Sequence, residues 1–445
     1  MELKLETSDS SWAGYETNFL NSGSEMISLM QLLWPIARSI TGDGVRETLS
    51  ILNLELHDLR VCEVESGREV FDWKIPQEWR VKSAYIIDPA GRRFCDFSIN
   101  NLHLVGYSTP FRGKLSLGEL QSHLYSLPNQ PNAIPYVTSY YERKWGFCLS
   151  EIERNSLIEG QYEVVVDTEL FDGSLTYAEL LLPGISSKEI MFSTYVCHPS
   201  MANNELSGPV VTTFLIKWLK QQKIRKFSYR FIFAPETIGA IAYLQDNLQD
   251  LKRLVVAGYN VTCVGDERQV GFLPSRQGNT LSDKVAETLL NELYPDFIKY
   301  SWEDRGSDER QYCAPGINLP IASIFRTKYG EFPEYHTSLD TIGAVVTERG
   351  LNESLDIYKK LIYCLENNEY LESKILCEPH LSKRSLYPTT SIKGKDSRTS
   401  DLMNVLSYCD GEKDLIDISN ILGISLFDII KISKLLIKSD LVSCL

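Results

Sequence analysis

Two histidines and several carboxylates sit where this sequence turns from apolar runs into polar loops. The apolar stretch from Ile190 to Cys197 delivers His198 to its carboxyl end. Asn203, Asn204 and Glu205 follow, then the small pair Ser207-Gly208, then a helical run from Pro209. Phe231-Ile-Phe-Ala-Pro-Glu236 ends a second apolar run in a carboxylate. Arg305 to Gln311 carries Asp308 and Arg310, and Gly330 to Asp340 carries His336, with Asp340 four residues further on. The chain has only six histidines, and ligand groups in open α/β sheets gather just past the carboxyl ends of strands. Two histidines and a carboxylate placed there form the three-ligand pattern of a catalytic zinc with an open position. A glutamate would act as base toward water. Asp340 would orient the His336 ring. Arg310, Arg326 and Tyr329 could bind a substrate carboxylate or oxyanion, or serve as ordinary loop contacts. A histidine after a strand can equally be a capping residue, and Glu236 can simply complement a helix N-terminus.

The positioning elements follow from periodicity. From about 160 to 370, strands (Glu163 to Asp167, Ala178 to Leu182, Glu189 to Cys197, Tyr229 to Ala234, Leu254 to Asn260, Ile321 to Arg326) alternate with helical patterns. The helical patterns are Val210 to Gln222, Thr237 to Leu248, Ser282 to Leu293 and Gly350 to Asn367. This predicts an α/β fold with a mixed, largely parallel sheet flanked by helices. Residues 21 to 54 read as two helices joined by the Arg38 to Arg46 loop, either an anion cradle or a turn with salt bridges. Between 60 and 150, short alternating runs and clustered Trp and Tyr read as a small β-rich module, an insertion. A Ser/Thr/Lys/Pro linker, Pro379 to Ser400, leads to short helices and a final extended piece that read as a winged helix-turn-helix. The expected domains are 1–58 with 152–372, the insertion 59–151, and the winged helix 376–445.

Composition narrows the functional classes. A net charge of −14 disfavours nonspecific binding to nucleic acid or anionic membrane. The tail has equal numbers of acidic and basic side chains, whereas a DNA reader presents a basic face. Ten scattered cysteines without a Cys-x-x-Cys pair argue for free thiols and a cytoplasmic location. No apolar run approaches the roughly 18 residues of a membrane helix, and the charged start, Met1 to Glu6, is unlike a signal peptide.

Taken in order, His198, Asn204-Glu-Leu-Ser-Gly208, Pro235-Glu236-Thr-Ile-Gly239, Ser307-Asp308 and Tyr335-His336-Thr-Ser-Leu-Asp340 resemble the site segments of co-catalytic zinc aminopeptidases. With its inserted β module and winged-helix tail, the chain is similar to a bacterial group of aminopeptidase-like proteins linked to modified-polysaccharide biosynthesis. The resemblance implies a zinc-exopeptidase-like fold, but three acidic positions depart from it. Asn204 stands for the bridging Asp, Pro235 for one Glu, and Thr262 for another Asp. That implies one zinc rather than two, held by His198, His336 and Glu205, or by Glu236 in place of Glu205, the remaining acid serving as base. Asn204 and Asp340 would lie behind the ligands, and Glu236, Asp308, Arg310 and Tyr329 would carry the chemistry. The expected activity is hydrolysis of an amide in a peptide or an N-acylated sugar. A catalytically inactive scaffold is the competing expectation, and a DNA-binding regulator a third. A protein partner at the winged helix and a homo-oligomer are both compatible with the sequence.

Overall fold

The computed structural model describes residues 22–384, 386 and 397–445. The charged start of the chain and much of the Pro379 to Ser400 linker lie outside the described residues. By their internal contacts the residues form two units, one reaching to Ser282 and including Ile298–Ile357, the other made of Asp283–Phe297 and Tyr358–Leu445.

The first unit is built on an eight-stranded mixed sheet. Its strand order is Arg60–Glu65, Ser174–Leu182, Ser228–Ala234, Glu189–Tyr195, Val255–Asn260, Ile321–Phe325, Gly271–Leu273, Ile298–Lys299. The four central strands, from Ser228–Ala234 to Ile321–Phe325, run parallel. The outer strands pair antiparallel, except that Ile298–Lys299 runs parallel to Gly271–Leu273. Glu189–Tyr195 is buried along its whole length, as a strand covered on both faces must be. The helix Ser207–Gln221 follows it and is buried on every side from Ser207 to Ile216, and again at Trp218 and Leu219, as a helix enclosed in the interior is. Gly208 lets this helix start hard against the sheet: a Cβ there would stand 2.4 Å from both Thr194 Oγ1 and the Val261 carbonyl.

A four-stranded sheet, Arg93–Phe94, Glu78–Ile87, Gln161–Phe171 and Phe111–Ser116, makes up the β-rich region. Its edges in sequence differ from a simple reading of texture. Arg60–Glu65, at the start of the β-rich stretch, pairs into the large sheet. Gln161–Phe171, which reads as the first strand of the α/β alternation, pairs with Glu78–Ile87 and Phe111–Ser116 instead.

In the second unit, helices Ser397–Ser407, Leu415–Leu422 and Leu426–Lys438 accompany a three-stranded sheet ordered Asp410–Asp414, Tyr370–Ser373, Val442–Cys444. Gly423, at φ 63°, ends the middle helix in the left-handed conformation that glycine takes readily. This is the winged helix-turn-helix. Among the described residues, no helix is long and apolar enough to cross a membrane.

Candidate metal and active site

The site collects at the carboxyl ends of the parallel strands. His198 follows Glu189–Tyr195, and Glu236 follows Ser228–Ala234. The two side chains face each other, His198 Nε2 standing 3.7 Å from Glu236 Oε2. His336 comes from the long loop after Ile321–Phe325, and its ring centroid lies 5.4 Å from that of His198. His336 takes φ 54°, uncommon for a residue with a side chain. Its carbonyl accepts the Tyr136 N–H at 2.8 Å, and Tyr335 stacks on its ring at 3.9 Å.

Glu205 stands on the opposite edge of the His198 imidazole. After Met201 the backbone makes a wide, π-type turn over Ala202–Leu206, which swings Glu205 back toward His198. Glu205 Oε2 accepts the His198 backbone N–H at 2.9 Å and lies 3.1 Å from Nδ1. Its Oε1 is 3.2 Å from Arg38 Nε, with both side chains fully buried. Arg38 also donates to the His198 carbonyl at 2.9 Å and to the Leu33 carbonyl at 2.8 Å. At the other end of this loop Arg46 pairs with Asp43 at 2.7 Å and with Glu78, so both arginines of the loop are engaged in ion pairs. Cys197 Sγ, His198 Nδ1 and Glu205 lie close enough together to hold an ion, but the buried Arg38 guanidinium already supplies the positive charge on that side. A second cation there would be repelled.

Asp340 does not reach the His336 ring. Its two oxygens accept the backbone N–H groups of Asn203 and Asn204 at 2.8 and 2.9 Å, so it fixes the wide turn that carries Glu205. Burial pushes its carboxyl up to about 7, against the pull of those two N–H groups. The positions where the aminopeptidase pattern has acids are joined by uncharged contacts. Asn204 Nδ2 donates to the Tyr195 hydroxyl at 2.8 Å, and Thr262 Oγ1 bonds the same hydroxyl.

Residues Gly306 to Arg310 clasp the segment after Glu236. Ser307 Oγ donates to Glu236 Oε1 at 2.8 Å. Thr237 N donates to Asp308 Oδ1 at 2.7 Å, and Arg310 Nη2 donates to Thr237 Oγ1 at 2.7 Å. Asp308 Oδ2 is buried with no partner. Removal from water, then the neighbouring Glu236, raises the Asp308 carboxyl well above its ordinary range. Glu236 is raised too, chiefly by the same loss of water, although 22% of its side chain remains exposed. His198 is raised: burial works against its charged form, and the Glu205 hydrogen bond and charge outweigh that. Burial, with the His198 charge adding to it, lowers His336 to about 3.

The fold draws His198, Glu236, His336, Asp308 and Arg310 to one place. Tyr329 and Arg326 are engaged in the framework. The Tyr329 hydroxyl accepts from Gly306 N at 2.6 Å and donates to Glu309 Oε1 at 2.7 Å. Arg326 is buried and its Nη1 lies 2.9 Å from Glu353 Oε2. Sequence reading takes Tyr136 only as part of an aromatic-rich stretch, core or a flat surface for a sugar or peptide, and gives Tyr140 no role. The Tyr136 ring lies 5.3 Å from the His198 ring and 5.1 Å from the His336 ring, and its hydroxyl bonds that of Tyr140 at 2.5 Å. The only signal was the Pro-Tyr pair in an aromatic-rich stretch.

The model of a family described as domain of unknown function (DUF4910) matches residues 27–368, and a winged helix-turn-helix model matches residues 368–444. A Clostridium acetobutylicum protein, named for polysaccharide biosynthesis and an aminopeptidase-like domain, is 42% identical over 409 residues, covering 91% of this chain and 93% of its own. A crystal structure from Clostridium acetobutylicum, of a protein provisionally described as a peptidase, matches with a TM-score of 0.91 at 38% identity. That match covers 98% of this chain and 100% of the other. A zinc aminopeptidase of Bacillus subtilis gives a TM-score of 0.55 at 14% identity over 77% of this chain and 94% of its own. At that identity the likeness is one of fold: an aminopeptidase-like α/β body.

Proposed function

The chain belongs to the DUF4910 family, and from the aminopeptidase-like fold and the site geometry we propose that it is a single-zinc hydrolase of an amide bond. The substrate is a peptide end or an N-acylated sugar, in the setting of polysaccharide biosynthesis that its Clostridium relative is named for. One observation carries the reading: His336 Nε2 is a buried nitrogen with no partner, beside a His198 whose Nε2 already faces Glu236. Buried polar atoms are nearly always satisfied, and a nitrogen lowered to about 3 is a neutral imidazole, the form that binds metal. The donor set His198, His336 and Glu236 suits zinc, so Glu236 takes the ligand position and Glu205 acts from behind as the carboxylate that fixes the His198 tautomer. A bound zinc would polarise the amide carbonyl and lower the pKa of a water.

The chain's own groups would do the rest. Asp308, whose carboxyl is raised by burial and by the neighbouring Glu236, would take a proton from the attacking water and pass it to the leaving amine. Arg310 holds the Thr237 side chain at the rim. The Tyr195 hydroxyl, joining Asn204 to Thr262, occupies with neutral contacts the region where the resemblance expects acids, and this favours one ion over two. The scattered cysteines, without a Cys-x-x-Cys pair, support a reducing, cytoplasmic setting.

Elemental analysis of tag-free protein tests the reading. The expected result is about one zinc per chain, lost in His336→Ala while the far-ultraviolet circular dichroism is retained. The three replaced acids favour a second reading, an inactive binding protein on the same fold. Absence of metal after zinc addition and dialysis would select it.

A further inference from the structure

Arg310 is exposed, yet it is held in place, and none of the described carboxylates lies within ion-pair distance of it. Its one bond, from Nη2 to Thr237 Oγ1 at 2.7 Å, uses one of five guanidinium donors. Thr237 is itself set with care. It follows Glu236 directly and takes φ 64°, an outlier for a β-branched residue, with its N–H on Asp308 at 2.7 Å. On the other side of the same short segment Glu309 is turned fully inward, accepting from Gly306, Ser307, Tyr329 and Asn260. The loop therefore spends its acid on the framework and presents its arginine at the rim, where its charge acts on Glu236, Asp308 and Tyr335. An arginine pinned beside a catalytic carboxylate without pairing to it has its fork available for a ligand, and the planar fork matches a carboxylate with two parallel bonds.

We propose that Arg310 anchors a carboxylate of the substrate, so that the amide hydrolysed belongs to an acid-bearing molecule such as an N-acyl amino acid, a peptide carboxyl end or an acylated acidic sugar. The proposal rests on the hydrolase reading for its chemistry but not for its binding. Titration calorimetry compares N-acetyl-L-alanine with N-acetyl-L-alaninamide, on the full chain as purified and after chelator treatment. Carboxylates can bind zinc directly, so the chelated protein isolates the arginine. The expected preference for the acid is about ten- to a hundredfold in both preparations. It falls toward unity in Arg310→Gln and is partly kept in Arg310→Lys. Arg305→Gln, at an exposed residue whose guanidinium lies over Trp302, keeps it. Equal binding of acid and amide, or a preference that survives Arg310→Gln or vanishes equally in Arg305→Gln, overturns the proposal. A protein without zinc or hydrolysis that still shows the Arg310-dependent preference would remove the hydrolase reading and leave the anchor standing. A zinc protein that hydrolyses both compounds alike would do the reverse.

Discussion

Glu205 and Arg38 set opposite charges side by side behind His198, each side chain without any solvent exposure. Burying such a pair costs desolvation that the mutual attraction only roughly offsets, so its presence points to positioning rather than stability. The carboxylate holds the Nδ1 edge of the ring, so that Nε2 faces Glu236. Glu205→Gln keeps the shape but leaves the guanidinium without a counter-ion. We expect a loss of about 3–5 kcal/mol of stability by chemical denaturation and a fall of about 10–100-fold in zinc affinity by chelator competition. Unchanged affinity would make Glu205 a structural residue only. The sequence makes His198 and His336 stand out, because strand ends and rare histidines are visible in one dimension. It does not separate Glu205 from Glu236. Both are carboxylates just past a strand, and only the wide turn at Ala202–Leu206, pinned by Asp340 from the far end of the unit, decides which edge of the ring each one meets.

At the scale of elements, the segment around Pro135 belongs to the site as much as the sheet does. Ile134 N donates to Ser338 Oγ at 3.0 Å, Ser338 N donates back to the Ile134 carbonyl at 2.9 Å, and Pro135 and Thr337 form an antiparallel bridge. Gln130 adds a bond to the Pro333 carbonyl at 2.7 Å. These contacts flank His336 in its left-handed conformation, and the Tyr136 ring stands edge-on to His336 and tilted against His198. Tyr136→Ala should lower zinc affinity about tenfold with little change in secondary structure, whereas a segment that merely covers the site would leave zinc retention unaltered. The α/β alternation was legible because each strand and helix announces its own period. Partnership was not. Arg60–Glu65 and Gln161–Phe171 read correctly as strands, yet which sheet each one joins depends on cross-strand neighbours about a hundred residues away, and local alternation carries no information on that.

At the scale of the whole molecule, the remaining question is what the winged helix is for. Readers of DNA use the first turns of the second helix of the motif in the major groove. Here that helix begins at Leu426, and its start is already engaged within its own unit. Ser425 Oγ donates to Glu292 Oε1 at 2.5 Å, Phe427 stacks with Tyr363 at 6.1 Å, and the preceding helix is tied by Asn420 to Thr288 and by Asp417 to Lys284. Lys431 on its outer face is paired with Asp428 at 3.0 Å. A surface with its leading residues occupied and its charge balanced lacks the cation excess that releases counterions from a duplex. The full chain should therefore give no gel shift with duplex DNA at micromolar protein, between about 50 and 200 mM salt. A complex that weakens steeply over that range, and is lost in Lys431→Ala with Lys438→Ala, would show that the tail leaves its present contacts to read nucleic acid. With no shift, ending the chain at Asn367 becomes the informative variant. It removes Phe427 from Tyr363 and Asn420 from Thr288, and a lowered unfolding temperature would identify the motif as a structural cover for the helices it touches.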